Sequence, residues 1–171
     1  MTGFWKISLK KPMVLYDFRP FIYCCQKSKK CTIGILLALI IPMRILLISE
    51  DNSLKTIVTK FGDNNNISTI IHDDDSNPIR VLSNILSLQP SAIIIDDDYL
   101  LPNTVPILES IRKVNKKTKI IFATSDSSIE LGKKVSQLGI YFYAIKPVDE
   151  NEFRELLDSI LKAKSQQYYE P

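Results

Sequence analysis

From residue 43 onward, short apolar runs alternate with segments whose apolar residues recur at helical spacing. Ile45 to Ser49 is a continuous apolar stretch, the signature of a parallel strand covered on both faces. Asn52 or Ser53 is placed to cap a helix running to about Phe61, with Leu54, Ile57, Val58 and Phe61 on one face. Gly62 to Asn66 reads as a turn. Ile67 to Ile71 reads as a second strand, at a sheet edge. Ser76 is placed to cap a helix carrying Ile79, Val81, Leu82, Ile85 and Leu86, stopped by Pro90. Ala92 to Ile95 is the central strand, and an acid-rich loop follows to Asn103. Three further units complete the series: a helix from Thr104 or Val105 to Val114, a strand Lys119 to Ala123, and a helix Ser127 to Leu138 stopped by Gly139. Ile140 to Ile145 is the last strand. Asp149 to Lys162 is an amphipathic helix bearing Phe153, Leu156, Leu157, Ile160 and Leu161.

Five strands and five helices in strict alternation predict an α/β fold, a doubly wound parallel sheet with helices on both faces. In such sheets the functional site lies outside the carboxyl ends of the strands. The chain has 171 residues, enough for one sizeable core. Apolar content of 45% and charged content of 24% suit a globular protein.

Charge changes this picture only at the N-terminus. Residues 1 to 44 carry eight Lys or Arg against one acid, a net of +7, whereas residues 45 to 171 carry fourteen against eighteen, a net of −4. The basic pI therefore reports the arm, and no nucleic-acid partner is expected for the body. Cys24, Cys25 and Cys31 all lie in the arm, so a disulfide-built fold is excluded and a reducing, cytoplasmic setting is the simplest reading.

The apolar run Ile33 to Ile41 ends at Pro42 and is much shorter than the roughly 20 residues a membrane span needs. Met43-Arg44-Ile45-Leu46-Leu47 looks like the natural start of an α/β domain. The expected organisation is a basic extension over 1 to 42, an over-extended gene start or a leader, then a domain over 43 to 164 and a polar tail over 165 to 171. Membrane contact is expected only if the extension belongs to the native protein.

Four clusters stand at strand ends: Glu50-Asp51, Asp96, Thr124 and Lys146-Pro147. With strand order 2-1-3-4-5, the flavodoxin-like order, the first and third strands are neighbours and their carboxylates meet. Close carboxylates repel one another unless a counter-ion relieves them, and Mg²⁺ suits an all-oxygen, hydrated site. Lys146 and Thr124 add an ammonium and a hydroxyl. An Asp there can act as a nucleophile that forms an acyl phosphate. An Asp at one strand end alone is commonly a turn former or helix cap.

The stretches Ile45 to Asp51, Ala92 to Asp96, Phe122 to Ser125 and Gly139 to Pro147 together resemble the response-regulator receiver domains of two-component signalling, across about Met43 to Lys164. The resemblance implies Asp96 as phosphoacceptor, Asp51 as a direct Mg²⁺ ligand, Glu50 as a ligand through water, and the Asp98 carbonyl as a further ligand. It implies Thr124 and Lys146 as contacts of the phosphoryl group and Tyr143 as the aromatic switch. A histidine kinase or histidine phosphotransfer protein would supply the phosphoryl group, and a downstream protein would read the surface of the fourth and fifth helices. The resemblance implies no enzymatic activity beyond this transfer, and DNA binding or cyclase activity in the same chain is not expected.

One departure concerns the loop. The family's proline stands four residues after the acceptor, whereas Pro102 stands six after Asp96 and four after Asp98, so Asp98 is a rival acceptor. The family's glycine after that proline is missing too. A degenerate receiver, acting as a phosphorylation-independent interaction module, is the alternative. His72 beside Asp73-Asp74-Asp75 reads as surface. Asp97 is expected to tune metal affinity or face solvent. No glycine-rich phosphate loop is present.

Mass-spectrometric mapping of the native N-terminus is expected to find Met43; peptides from residues 5 to 30 would contradict a false start.

Overall fold

The computed structural model describes residues 43–167. Expectations for residues 1 to 42 and for the end of the tail lie outside them. Five parallel strands, β1 (Arg44–Ile48), β2 (Ser68–His72), β3 (Ala92–Asp96), β4 (Lys119–Thr124) and β5 (Phe142–Ile145), form one sheet in the order β2-β1-β3-β4-β5. Between and after them run α1 (Asn52–Asn65), α2 (Pro78–Leu88), α3 (Thr104–Val114), α4 (Ile129–Ser136) and α5 (Glu150–Gln167), with one extra helical turn, Asp97–Leu100, directly after β3. The expected fold class and strand order are both observed.

Strand side chains alternate between faces, and this splits the core into two layers. Ile45, Leu47, Ala92, Ile94, Ile121, Ala123 and Ala144 pack under α1 and α5, against Phe61, Phe153 and Leu157. Leu46, Ile48, Ile93, Ile95, Ile120 and Phe122 pack under α2, α3 and α4, against Val81, Ile107, Leu108 and Val135. β1 and β3 are buried on both sides, which is why their sequences show no alternation.

Several boundaries differ from expectation for local reasons. α1 is capped by Asp51, one residue earlier than expected, through its carboxylate and the Ser53 and Leu54 amides. It also runs on through the expected turn to Asn65, because Asn66 takes a left-handed conformation (φ 53°) and ends the helix as glycine usually does. α2 is capped by Asn77 with Pro78 in its first turn, in place of Ser76. His72 is buried at the end of β2, and not on the surface. Its Nε2 faces the Asp75 carbonyl at 2.6 Å and its Nδ1 faces Asn84 Nδ2 at 3.1 Å and Asp74 Oδ1 at 3.2 Å. It acts as a strut between the edge strand and α2.

Arg112 closes the far end of the sheet. Its guanidinium donates to the Leu138, Thr118 and Gly139 carbonyls at 2.9, 2.8 and 2.6 Å, tying α3 to the turn before β5. Among the described residues no helix is long and apolar enough to cross a membrane.

Gly62 sits inside α1, where alanine normally favours the helix. Here a Cβ would collide with Thr69 Cγ2 and stand 3.1 Å from the Ile67 carbonyl oxygen. Gly62→Ala is therefore expected to lower stability by about 1–3 kcal/mol, the usual cost of overpacking, and Thr69→Ala to return part of it. Urea denaturation of the single and double variants measures both.

Candidate functional site at the strand ends

The two-layer alternation continues past the strand ends and sorts the polar residues. Ser49, Asp96 and Lys146 continue the parity of Leu47, Ile94 and Ala144, on the α1/α5 side. Asp97, Thr124 and Tyr143 continue the parity of Ile95 and Phe122, on the α3/α4 side. The hydrogen bonds follow this division.

On the first side, Asp96 is 2% exposed. Its Oδ1 accepts from Lys146 Nζ at 2.6 Å and its Oδ2 from Ser49 Oγ at 2.6 Å. Ser49 is buried and its oxygen also accepts from the Asp51 amide at 2.9 Å. Lys146 Nζ reaches three carboxylates: Asp96 Oδ1 at 2.6 Å, Asp98 Oδ2 at 3.0 Å and Asp51 Oδ2 at 3.7 Å. It therefore stands as the counter-cation of the group.

On the second side, Asp97 is 2% exposed and its Oδ2 accepts from Thr124 Oγ1 at 3.1 Å. Thr124 Oγ1 accepts in turn from the Asp126 amide at 3.0 Å. Tyr143 stacks on Phe122, ring centroids 5.4 Å apart, and its hydroxyl donates to the Asp126 carbonyl at 3.1 Å. Burial pushes the Tyr143 phenol up, and the negative charges of Asp126 and Asp97 add to it.

The structure thus brings Asp51, Asp96, Asp98 and Lys146 together. It holds Thr124 on Asp97, away from Asp96, and leaves Glu50 exposed. Sequence reasoning missed Ser49 and Ser125 as site residues, and named Asp97 only as an acid that tunes metal affinity or faces solvent. Counting parity along Ile45, Leu47 and Ser49 is the signal that turns Ser49 inward beside Asp96. The same count turns Asp97 away from solvent, which overturns the solvent-facing one of its two expected placements.

The expected Mg²⁺ finds a poor donor set. Both Asp96 oxygens are engaged, Asp51 Oδ1 caps α1, and Asp98 is bound to Lys146 and Ser125. Among the described residues no three acidic, His or Cys side chains are gathered as a divalent ion requires. An ammonium already occupies the centre of the carboxylates, so the arrangement does not fit a divalent cation.

Lys146 and Asp98 shift in opposite directions. Burial opposes the charged form of Lys146, but hydrogen bonds and charge from Asp96 and Asp98 outweigh it and hold the ammonium above its ordinary value of 10.5. Burial likewise opposes the Asp98 carboxylate, yet the Ser125 hydroxyl, Lys146 and the Ser125 amide hold it below its ordinary 3.8. A depressed acid contributes fully above its unfolded value and is lost as pH falls through the folded one; a raised base contributes fully below its unfolded value and is lost as pH rises through the folded one. The network's contribution is therefore expected to be constant between about pH 4 and 10 and to fall away on both sides. In urea midpoints measured across pH, Asp98→Asn should flatten the acid limb and spare the alkaline limb's onset. An acid limb identical to that of the unaltered protein would contradict the role given to Asp98.

No family model and no curated protein matches the sequence. Solved structures do match. The signal receiver domain of a putative LuxO repressor from Vibrio parahaemolyticus is 21% identical, with a TM-score of 0.63, covering 76% of this chain and 98% of that one. A CheY-like receiver domain protein from Methanospirillum hungatei is 18% identical, with a TM-score of 0.63, over 74% and 98%. An orphan response regulator of H. pylori is 13% identical, with a TM-score of 0.58, over 70% and 96%. At these identities the likeness concerns the fold, and it spans nearly the whole of each matched domain. Residues 43–167 have the fold of the CheY-like response-regulator receiver domains.

Proposed function

We infer that this domain is a receiver-type signalling module that works by protein contact, with its strand-end site satisfied internally and not cycled by a phosphoryl group. The observation that carries this reading is the position of Lys146, within 4 Å of Asp96, Asp98 and Asp51. An ammonium among the carboxylates offsets part of their mutual repulsion, a role a divalent ion would otherwise fill. With one oxygen on Lys146 and the other on Ser49, both Asp96 oxygens accept a hydrogen bond, which lowers their nucleophilicity. Thr124, the hydroxyl expected to meet a phosphoryl oxygen, is held by Asp97.

The partner in this reading is a protein. The surface that α4 and β5 present carries Ile129 and Ile145, both exposed, and α4 also exposes Lys133 and Lys134. Apolar groups rimmed by charge suit a protein contact more than a small ligand.

A second reading keeps Asp96 as a phosphoacceptor served by a histidine kinase or histidine phosphotransfer protein, with Mg²⁺ as cofactor. Its support is the placement of Asp96, Thr124 and Lys146 at the carboxyl ends of adjacent strands β3, β4 and β5. It would require Asp98 to release Lys146 and Asp97 to release Thr124.

Incubation with acetyl phosphate and Mg²⁺, followed by intact-mass measurement, separates the two. The unaltered chain is expected to keep its mass. A phosphoryl adduct that disappears in Asp96→Asn would establish the second reading and remove the first.

A further inference from the structure

The loop from β4 into α4 is gripped at three consecutive residues. Thr124 Oγ1 donates to Asp97 Oδ2 at 3.1 Å. Ser125 Oγ donates to Asp98 Oδ2 at 2.6 Å, and the Ser125 amide reaches Asp98 Oδ1 at 3.3 Å. The Asp126 carbonyl accepts from Tyr143 at 3.1 Å. The grip passes directly into α4. The Asp126 side chain accepts from Ser128 at its amide (2.7 Å) and its hydroxyl (3.0 Å), and Ser128 caps the helix through the Leu131 amide.

Two of the three anchors come from adjacent residues after β3, and they differ in kind. Asp97 is buried and meets one neutral hydroxyl. Asp98 is exposed, yet it links the loop to Lys146 at the end of β5. A carboxylate that accepts from an ammonium, a hydroxyl and a main-chain amide at once makes charge-assisted bonds, which are stronger than neutral ones. The helical turn Asp97–Leu100 is what aims both carboxylates at β4: its hydrogen bond from the Leu101 amide to the Asp97 carbonyl (3.0 Å) shortens the path after β3.

We propose that Asp97 and Asp98 form a clamp that fixes the β4–α4 loop, and with it the α4–β5 surface, in one conformation without any added group. Asp98 is the positioning residue that closes the clamp, and Lys146 is the fixed post it closes on. Loops that change shape in signalling are drawn from the least stable parts of a fold. Here that segment carries three side-chain anchors in three residues, and two of them trace to the acids that displace Pro102. The clamp rests on the proposed reading only for its signalling consequence; its geometry stands apart from whether Asp96 accepts a phosphoryl group.

Amide hydrogen exchange on the full chain tests it. Asp98→Asn removes the charge and keeps the shape; because Asp98 is exposed, the fold is retained. Amides of residues 125–132 are expected to exchange about tenfold faster or more in the variant, while those of β1 and β3 speed up by no more than the loss of global stability measured in urea accounts for. Ser125→Ala, which removes the opposite half of the same contact, is expected to act in the same direction. Unchanged exchange at 125–132 in both variants would overturn the clamp, as would an equal rise in β1 and β3, which marks general destabilisation. The acetyl phosphate measurement answers a different question: an adduct on the unaltered chain removes the proposed function and leaves the clamp standing, whereas unaltered loop exchange removes the clamp alone.

Discussion

One ammonium holds the carboxyl end of this sheet together. Three carboxylates, from the cap of α1, the end of β3 and the turn after β3, converge on Lys146. Without a positive charge among them they would repel one another and favour protonation. Lys146 is itself placed by β5, which pairs with β4 through Thr124 opposite Ile145. The register of the last strand therefore fixes the electrostatics of the whole site.

Around that point the fold divides its work by side. The α1/α5 layer ends in Ser49, Asp96 and Lys146, and the α3/α4 layer ends in Asp97, Thr124 and Tyr143. Neither set was chosen by loop geometry alone, because each continues the pleat of a buried strand. Ser49 beside Asp96 makes the point, since the pleat of β1 turns its hydroxyl inward to donate a hydrogen bond to the Asp96 carboxylate. A hydroxyl there stabilises the ionised Asp96 without adding charge, so the site keeps one acid fewer for Lys146 to balance.

Much of this was legible in the residues. Ile45 to Ser49 and Ala92 to Ile95 could be read as strands because strands covered on both faces need apolar residues at every position. The parallel sheet followed from the alternation of elements, and the strand order from the flavodoxin-like pattern. What could not be read was where each polar side chain goes once a strand ends. Asp51 looked like half of an acid pair, yet the first turn of α1 has unpaired amides that a carboxylate satisfies well. His72 looked like part of a solvated acid run, but parity and the pull of Asn84 and the Asp75 carbonyl turn it inward. Gly62 to Asn66 looked like a turn because Gly, Asp and Asn favour turns locally; packing of Gly62 against Thr69 keeps the helix going instead. These failures share a cause: short polar side chains have several local options, and the tertiary neighbours that decide among them are distant in sequence.

The division by pleat has a consequence for how such a domain can be rewired. Asp96 and Asp97 are chemically identical neighbours, yet one peptide bond separates two different audiences. A perturbation at Asp96 is felt first through Lys146 by β5 and the α5 side, whereas one at Asp97 is felt through Thr124 by the loop into α4. Inserting or deleting a single residue just before them would exchange the faces they address while leaving both acids in the chain. In a sheet covered on both sides, the reading frame of a strand end is thus itself a piece of information, and a one-residue slip is a change of message.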